Sequence, residues 1–171
     1  MSDFVIETLP PAQIRPVYPL MREAVPGLQL NEWLRFARRL TRARPREPGG
    51  IIVARRPARS WPIGMVCYRR RQELGVGPVL AVCHLVALDL LDPAAVVASL
   101  TAQLDIIAVQ LGCVAIMTTV HRGAASVTDD LFAAGHRPEG AVLTKPVGAA
   151  VSSSVRPARG KPTFPNAVPQ A

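Results

Sequence analysis

A chain of 171 residues, 49% of them hydrophobic, has the length of one domain and enough apolar side chains for an ordinary core. No apolar run approaches the roughly 18 to 20 residues of a membrane-spanning helix, and the opening "MSDFVIETLPP" has neither a basic start nor an apolar signal core, so a cytoplasmic protein without a membrane partner is expected. The net charge of +8, carried almost entirely by arginine, makes an acidic protein or a nucleic acid a candidate partner; Cys67, Cys83 and Cys113, odd in number and set in apolar runs, have no paired spacing that would suggest a disulfide framework or a zinc site and are expected as buried thiols.

The first element is a short strand in "FVIETL", where Phe4, Ile6 and Thr8 alternate with Val5, Glu7 and Leu9 before Pro10-Pro11. Ile14, Val17, Tyr18 and Met21 keep helical spacing between Ala12 and Val25, but Pro16 and Pro19 predict a kinked or broken helix that Pro26-Gly27 ends. A second helix carries the stripe Leu30, Trp33, Leu34, Ala37 and Leu40, with Asn31 as its expected cap and Arg35, Arg38, Arg39 and Arg42 on the outer side. Two β-rich runs, "IIVARR" and "WPIGMVCYRRR", lie close enough for a hairpin. The almost continuously apolar "VLAVCHLVAL" reads as a central strand covered on both faces.

From "DPAAVV" a helix runs to Gly112 with Val96, Val97, Leu100, Leu104, Ile107, Ala108 and Leu111 inward. "CVAIMTTV" is another buried strand, "ASVTDDLFAA" a helix closed by Gly135, and "GAVLTKPV" a last strand. The domain is expected over residues 1–147. Residues 148–171, rich in Pro, Ser, Ala and Gly with a little positive charge, are expected to form a disordered tail.

Strand, two helices, antiparallel hairpin, central strand, long helix, strand, helix, strand: over roughly residues 3 to 147 this order resembles the GNAT family, the Gcn5-related N-acetyltransferases. "IIVARRPARSWPIGMVCYR" looks like that family's second and third strands, with Gly64 after an apolar pair, and "LFAAGHRPEG" looks like its closing helix and turn. The resemblance implies an α/β (α+β) fold: one mixed, largely antiparallel sheet of six or seven strands flanked by about four helices. It also implies acetyl-CoA or another acyl-CoA as donor, an amine acceptor, no metal, and a homodimer as a candidate assembly.

In that family the fourth and fifth strands splay apart, so that backbone groups bind the pantetheine arm, and the next helix offers its N-terminus to the pyrophosphate. The matching backbone here is Leu85, Val86, Ala87 and Leu88, followed by Asp92, Ala94 and Ala95, with Arg122 after the fifth strand as a further anion contact. Arg69 to Arg71, at the end of the third strand, form a second basic group that the fold could bring round. The family's signature at the helix start is Arg or Gln, two residues, Gly, one residue, Gly or Ala; here "DPAAVV" stands in its place. Read from the residues alone, Asp92 followed by Pro93 is a self-capped helix start that needs no ligand. A carboxylate about 4 Å from a diphosphate would cost on the order of 1 to 4 kcal/mol per charge pair in surface-like dielectrics.

For chemistry, His84 is the titratable residue of the central strand and by alternation shares a face with Val82 and Val86, which makes it the candidate general base; a structural core histidine is the competing reading. His121 is the second catalytic candidate. The family's leaving-group tyrosine is matched by Leu131, with Phe132 beside it, and neither can donate a proton. Tyr18 and Tyr68 lie elsewhere, and His136 is expected at the surface or facing a partner. Two functions stay open: an atypical acyl-CoA-dependent N-acyltransferase, and a non-catalytic GNAT-like module that engages a partner through its arginines.

Overall fold

In the computed structural model the described residues are 4–42, 45–57, 61–89, 91–120 and 125–140. The chain divides into two units, Met1–Arg137 and Pro138–Ala171, and the first holds every strand and helix of the described residues. The expected last strand, apart from Gly140, and the expected tail lie outside the described residues, as do His121 and Arg122.

Five strands, β1 (Val5–Thr8), β2 (Gly49–Arg55), β3 (Pro62–Glu73), β4 (Gly77–Ala87) and β5 (Ala115–Thr118), form one sheet in sequence order. The first four are antiparallel and β5 is parallel to β4. The count among the described residues is thus five rather than the expected six or seven, because the residues of the last expected strand are not among them.

A short 3-10 turn at Pro11–Gln13 and helices α1 (Tyr18–Ala24) and α2 (Leu30–Thr41) fill the β1–β2 connection. The predicted helix over residues 12–25 is broken, as its two prolines require. Trp33 of α2 closes the break: its indole N–H donates to the Ile14 carbonyl at 2.7 Å. The cap of α2 differs from expectation. It is Gln29, whose N–H donates to the Glu32 carboxylate at 3.0 Å, so Asn31 is already inside the helix. Arg35, Arg38, Arg39 and Arg42 are exposed, and Trp33, Ala37 and Leu40 are buried.

The sheet has two apolar faces. Helices α1 and α2 bury Met21, Trp33, Ile51, Val53, Met65 and Cys67 on one side. Helix α3 (Pro93–Gln110) buries Ile52, Val66, Leu80, Val82, Leu100 and Leu104 on the other. By length and composition α3 could cross a membrane, which corrects the expectation that no such segment exists: Ser99, Thr101, Gln103 and Asp105 interrupt the run without lowering its average enough. It lies on the sheet instead, and Gly112, at φ +62°, ends it in the left-handed conformation expected there. Its first turns come very close to β3. A Cβ on Gly64 would stand 2.5 Å from Val96 Cγ1 and 3.1 Å from Leu100 Cδ1, so only glycine permits this packing. Helix α4 (Ala125–Ala133) follows β5.

Candidate functional site

The site is built from the way β4 loses its neighbours. Its ladder with β5 runs from Val79↔Ala115 to Val82↔Thr118 and, with the Thr119 N–H donating to the Val82 carbonyl at 3.2 Å, stops there. On its other side β4 stays paired with β3 as far as Ala87, and the Leu88 N–H donates to the Ile63 carbonyl at 2.7 Å. Backbone groups of an antiparallel strand alternate in direction. With Leu88 and Val86 turned to β3, the N–H and C=O of Leu85 and Ala87 are turned to the side that β5 has left. Among the described residues, the β4 edge beyond the end of β5 carries the donors and acceptors of these two residues.

A bulge sits at the point of opening. Cys67 pairs with His84 and Tyr68 with Val82, which leaves Cys83 as the extra residue. Strict alternation fails here: Val82 joins the α3 face, while Cys83 and Val86 pack on the α1/α2 face. His84 lies on that second face too, edge-on to Phe36 of α2 with centroids 5.6 Å apart, so it shares a face with Val86 and not with Val82. Its Nδ1 is buried. Burial pushes the Cys67 thiol far up. The Cys83 thiol is also raised by burial, with Arg69 and Arg71 pulling it partly back. Neither thiol is poised as a thiolate near neutral pH.

The junction between β4 and α3 is closed by two carboxylates. Asp92 caps α3 by accepting the Ala95 N–H at 2.9 Å, and Pro93 stands at the first helical position, as predicted. Asp89, which the sequence reading does not single out, accepts the Leu91 N–H at 2.9 Å and holds Arg56 through Nε (3.1 Å) and Nη2. The Arg56 guanidinium lies over the Phe4 ring, 5.3 Å from its centroid. The Leu91 N–H first, and the Arg56 side chain and Asp92 N–H with it, hold the Asp89 carboxyl below the usual carboxylate range against the opposing effect of burial. Of the four N–H groups that open a helix, Pro93 removes one, the Asp92 carboxylate takes that of Ala95, and the Asp92 N–H lies close enough to the Asp89 carboxylate to stabilise its charge.

The other predicted contacts fall as follows. Arg69 to Arg71 are not brought to this junction. Arg70 Nε donates to the Leu111 carbonyl at 3.0 Å, at the C-terminal end of an 18-residue helix, about 27 Å from its start. There it favours the helix dipole. Arg71 pairs with Glu73 at 2.9 Å. His136, expected at the surface or facing a partner, is half-buried, its Nε2 3.1 Å from Thr118 Oγ1, and so ties the chain after α4 back to β5. Leu131 is buried and Phe132 exposed. Among the described residues no group of three or more His, Cys, Asp or Glu is placed to hold a metal ion.

The residues fit the two halves of CoA unequally. The open edge offers Leu85 and Ala87 to the amides of a pantetheine arm. Among the described residues the junction offers a diphosphate two negative side chains, a proline without an N–H and helix-start N–H groups already drawn to carboxylates, and these do not fit it.

No protein-family profile and no curated protein sequence matches the chain. Solved structures do. An aminoglycoside N-acetyltransferase in complex with CoA superposes with a TM-score of 0.71 at 14% identity, over 87% of this chain and 97% of that one. Aminoglycoside 6'-N-acetyltransferase from Acinetobacter baumannii gives 0.70 at 16% identity, over 86% and 99%. A ribosomal-protein-alanine N-acetyltransferase from Brucella melitensis gives 0.66 at 13%, over 85% and 99%. With its antiparallel β1 to β4, the α3 crossover and β5 parallel to β4, the chain has the GNAT fold.

Proposed function

We propose that the protein is an N-acyltransferase that receives an acyl thioester along the open edge of β4 and passes the acyl group to an amine. The observation that carries this reading is the end of the β4–β5 ladder at Val82↔Thr118, beyond which Leu85 and Ala87 have no β5 partner among the described residues, as a linear amide ligand pairing with that edge would require. The names of the structural neighbours, N-acetyltransferases of amines, support it.

In the reaction the amine nitrogen attacks the thioester carbonyl, a C–N bond forms, and the C–S bond breaks. The thiolate leaves and takes a proton from water. The amine's proton passes to a base, for which His84, one residue before the open edge, is the candidate. With both β-strand thiols held protonated, transfer is direct, without an acyl-cysteine intermediate.

The test is Ala87→Pro. Its N–H is directed to the open side, so proline removes a donor from the edge without breaking the β3 ladder. Thiol release from acetyl-CoA and from S-acetylpantetheine, measured with a panel of amines, should show a KM about tenfold higher in the variant, the cost of roughly one hydrogen bond. If the wild-type chain neither binds nor turns over any thioester, this reading fails. The non-catalytic module, presenting Arg35, Arg38, Arg39 and Arg42 to an acidic partner, then takes its place.

A further inference from the structure

We propose that Asp89 and Asp92 select the acyl donor: the protein takes its acyl group from a pantetheine thioester that lacks a nucleotide diphosphate, and discriminates against CoA. This rests on the reading of the β4 edge as a thioester site and adds to it the identity of the donor's far end.

Among the described residues, most donors and the nearby cations at the junction are already engaged. A diphosphate at the start of α3 needs free N–H groups and a cation. Pro93 has no N–H, the Ala95 N–H is held by Asp92 at 2.9 Å, and the Leu91 N–H is held by Asp89 at the same distance. The described cations at the adjoining end of β2 are also committed. Arg56 is held by Asp89, and Arg55 by Glu7 and Gln13. The Asp89 side chain is only 6% exposed, so its position is set by the fold and is not that of a loosely placed surface acid.

A second feature points the same way. The side chains that flank the junction on the outside are apolar: Leu88 is 46% exposed and Leu91 84% exposed. Exposed leucines beside two carboxylates suit a neutral, partly apolar ligand end and disfavour a polyanionic one. A pantetheine arm meets that description up to its terminal hydroxyl. The arm can be free, or it can be carried on a protein through a single phosphodiester, whose one charge is far less than the diphosphate and further phosphate of CoA.

The experiment is calorimetric titration of the full chain with acetyl-CoA, S-acetyl-4'-phosphopantetheine and S-acetylpantetheine, for the wild type and for Asp89→Asn/Asp92→Asn. Asparagine caps a helix about as well as aspartate, so the double variant removes charge and keeps the cap. It also releases Arg56. The wild type should bind S-acetylpantetheine at least as tightly as acetyl-CoA, and the variant should shift that ratio toward acetyl-CoA by at least about tenfold, as two like charges leave and one cation is freed. Pro93→Gly, which restores a backbone N–H, should shift it in the same direction and serves if the double variant does not fold.

A wild type that prefers acetyl-CoA tenfold or more, or a ratio unmoved in folded variants, overturns the proposal while leaving acyl transfer standing. Absence of binding for all three ligands in every variant removes acyl transfer itself. The phosphopantetheine arm separates the two sources. Binding within about tenfold of the neutral thioester supports an arm carried through a phosphodiester, weaker binding than that supports a free arm, and binding tighter than the neutral thioester overturns exclusion by charge.

Discussion

Two adjoining stretches of backbone are treated in opposite ways. Along β4 beyond Val82, where β5 ends, the N–H and C=O groups of Leu85 and Ala87 have no ladder on that side among the described residues, whereas just after the strand ends the chain binds its own N–H groups with Asp89 and Asp92. Neither region is unusual alone: strands end, and helices are capped. Side by side they teach that a ligand site is defined by which backbone groups the protein declines to satisfy. The edge can receive an amide arm, and the junction keeps out anything that needs the same N–H groups.

The largest effect that would sharpen this contrast lies on the open side. If His84 takes the proton of the attacking amine, His84→Ala should lower acyl transfer at least about tenfold, toward the roughly 10²–10⁴ usual for a lost general base, with little change in thioester affinity. Unchanged kcat in a folded His84→Ala protein would return His84 to the role of a packing partner of Phe36, which is all that its edge-on contact by itself requires.

Smaller, and aimed at the frame holding both regions together, is Gly64→Ala. The new methyl group would meet Val96 Cγ1 at 2.5 Å, Leu100 Cδ1 at 3.1 Å and the Val86 carbonyl oxygen at 3.2 Å. The first turns of α3 must then lift from β3 just where β4 opens. Overpacking of this kind costs about 1–3 kcal/mol. At about 2–4 °C per kcal/mol for a chain of this size, thermal unfolding followed by circular dichroism should show a lower Tm. A Tm within about 1 °C of the wild type, well inside that expected shift, would mean that α3 moves freely on the sheet, and that the sealed junction is not held at a fixed distance from the open edge.

Much of this is legible in the residues, for local reasons. The start of α3 follows from Asp92–Pro93 and its stop from Gly112, because a cap, a first-turn proline and a left-handed glycine act within a few residues of themselves. Pro16 and Pro19 break the first helix for the same reason. What escapes a reading of the sequence depends on partners distant along the chain. The bulge at Cys83 exists only in the register of β4 against β3, and it is what separates His84 from Val82 although two-residue spacing unites them. The Asp89–Arg56 pair joins residues 33 apart, and His136 finds Thr118 across 18. Residue type favours Asn31 as a cap, yet the acceptor that matters is Glu32, three residues after Gln29. A second aspartate before Asp92 in "LDLLDP" is the available signal for the sealed loop; only the strand end that delivers Arg56 gives it meaning.

The smallest effect would test the seal by titrating it. Asp89 is held below the usual carboxylate range, so its unfolded form binds a proton first as pH falls. Its contribution to stability is therefore fully present above the ordinary carboxyl pKa and is lost as pH drops through the lower, folded value. Urea unfolding midpoints measured across the acid range should fall more steeply for the wild type than for Asp89→Asn, and the two curves should converge at the acid end. Protonating Asp89 weakens its hold on the Leu91 N–H and on Arg56 together, so the same pH interval should bring a rise in affinity for a phosphate-bearing thioester relative to S-acetylpantetheine. Parallel unfolding curves, or an affinity ratio indifferent to pH over that interval, would mean that Asp89 holds the loop without guarding it; in that case the contrast between the open edge and the closed junction would belong to Asp92 and Pro93 alone.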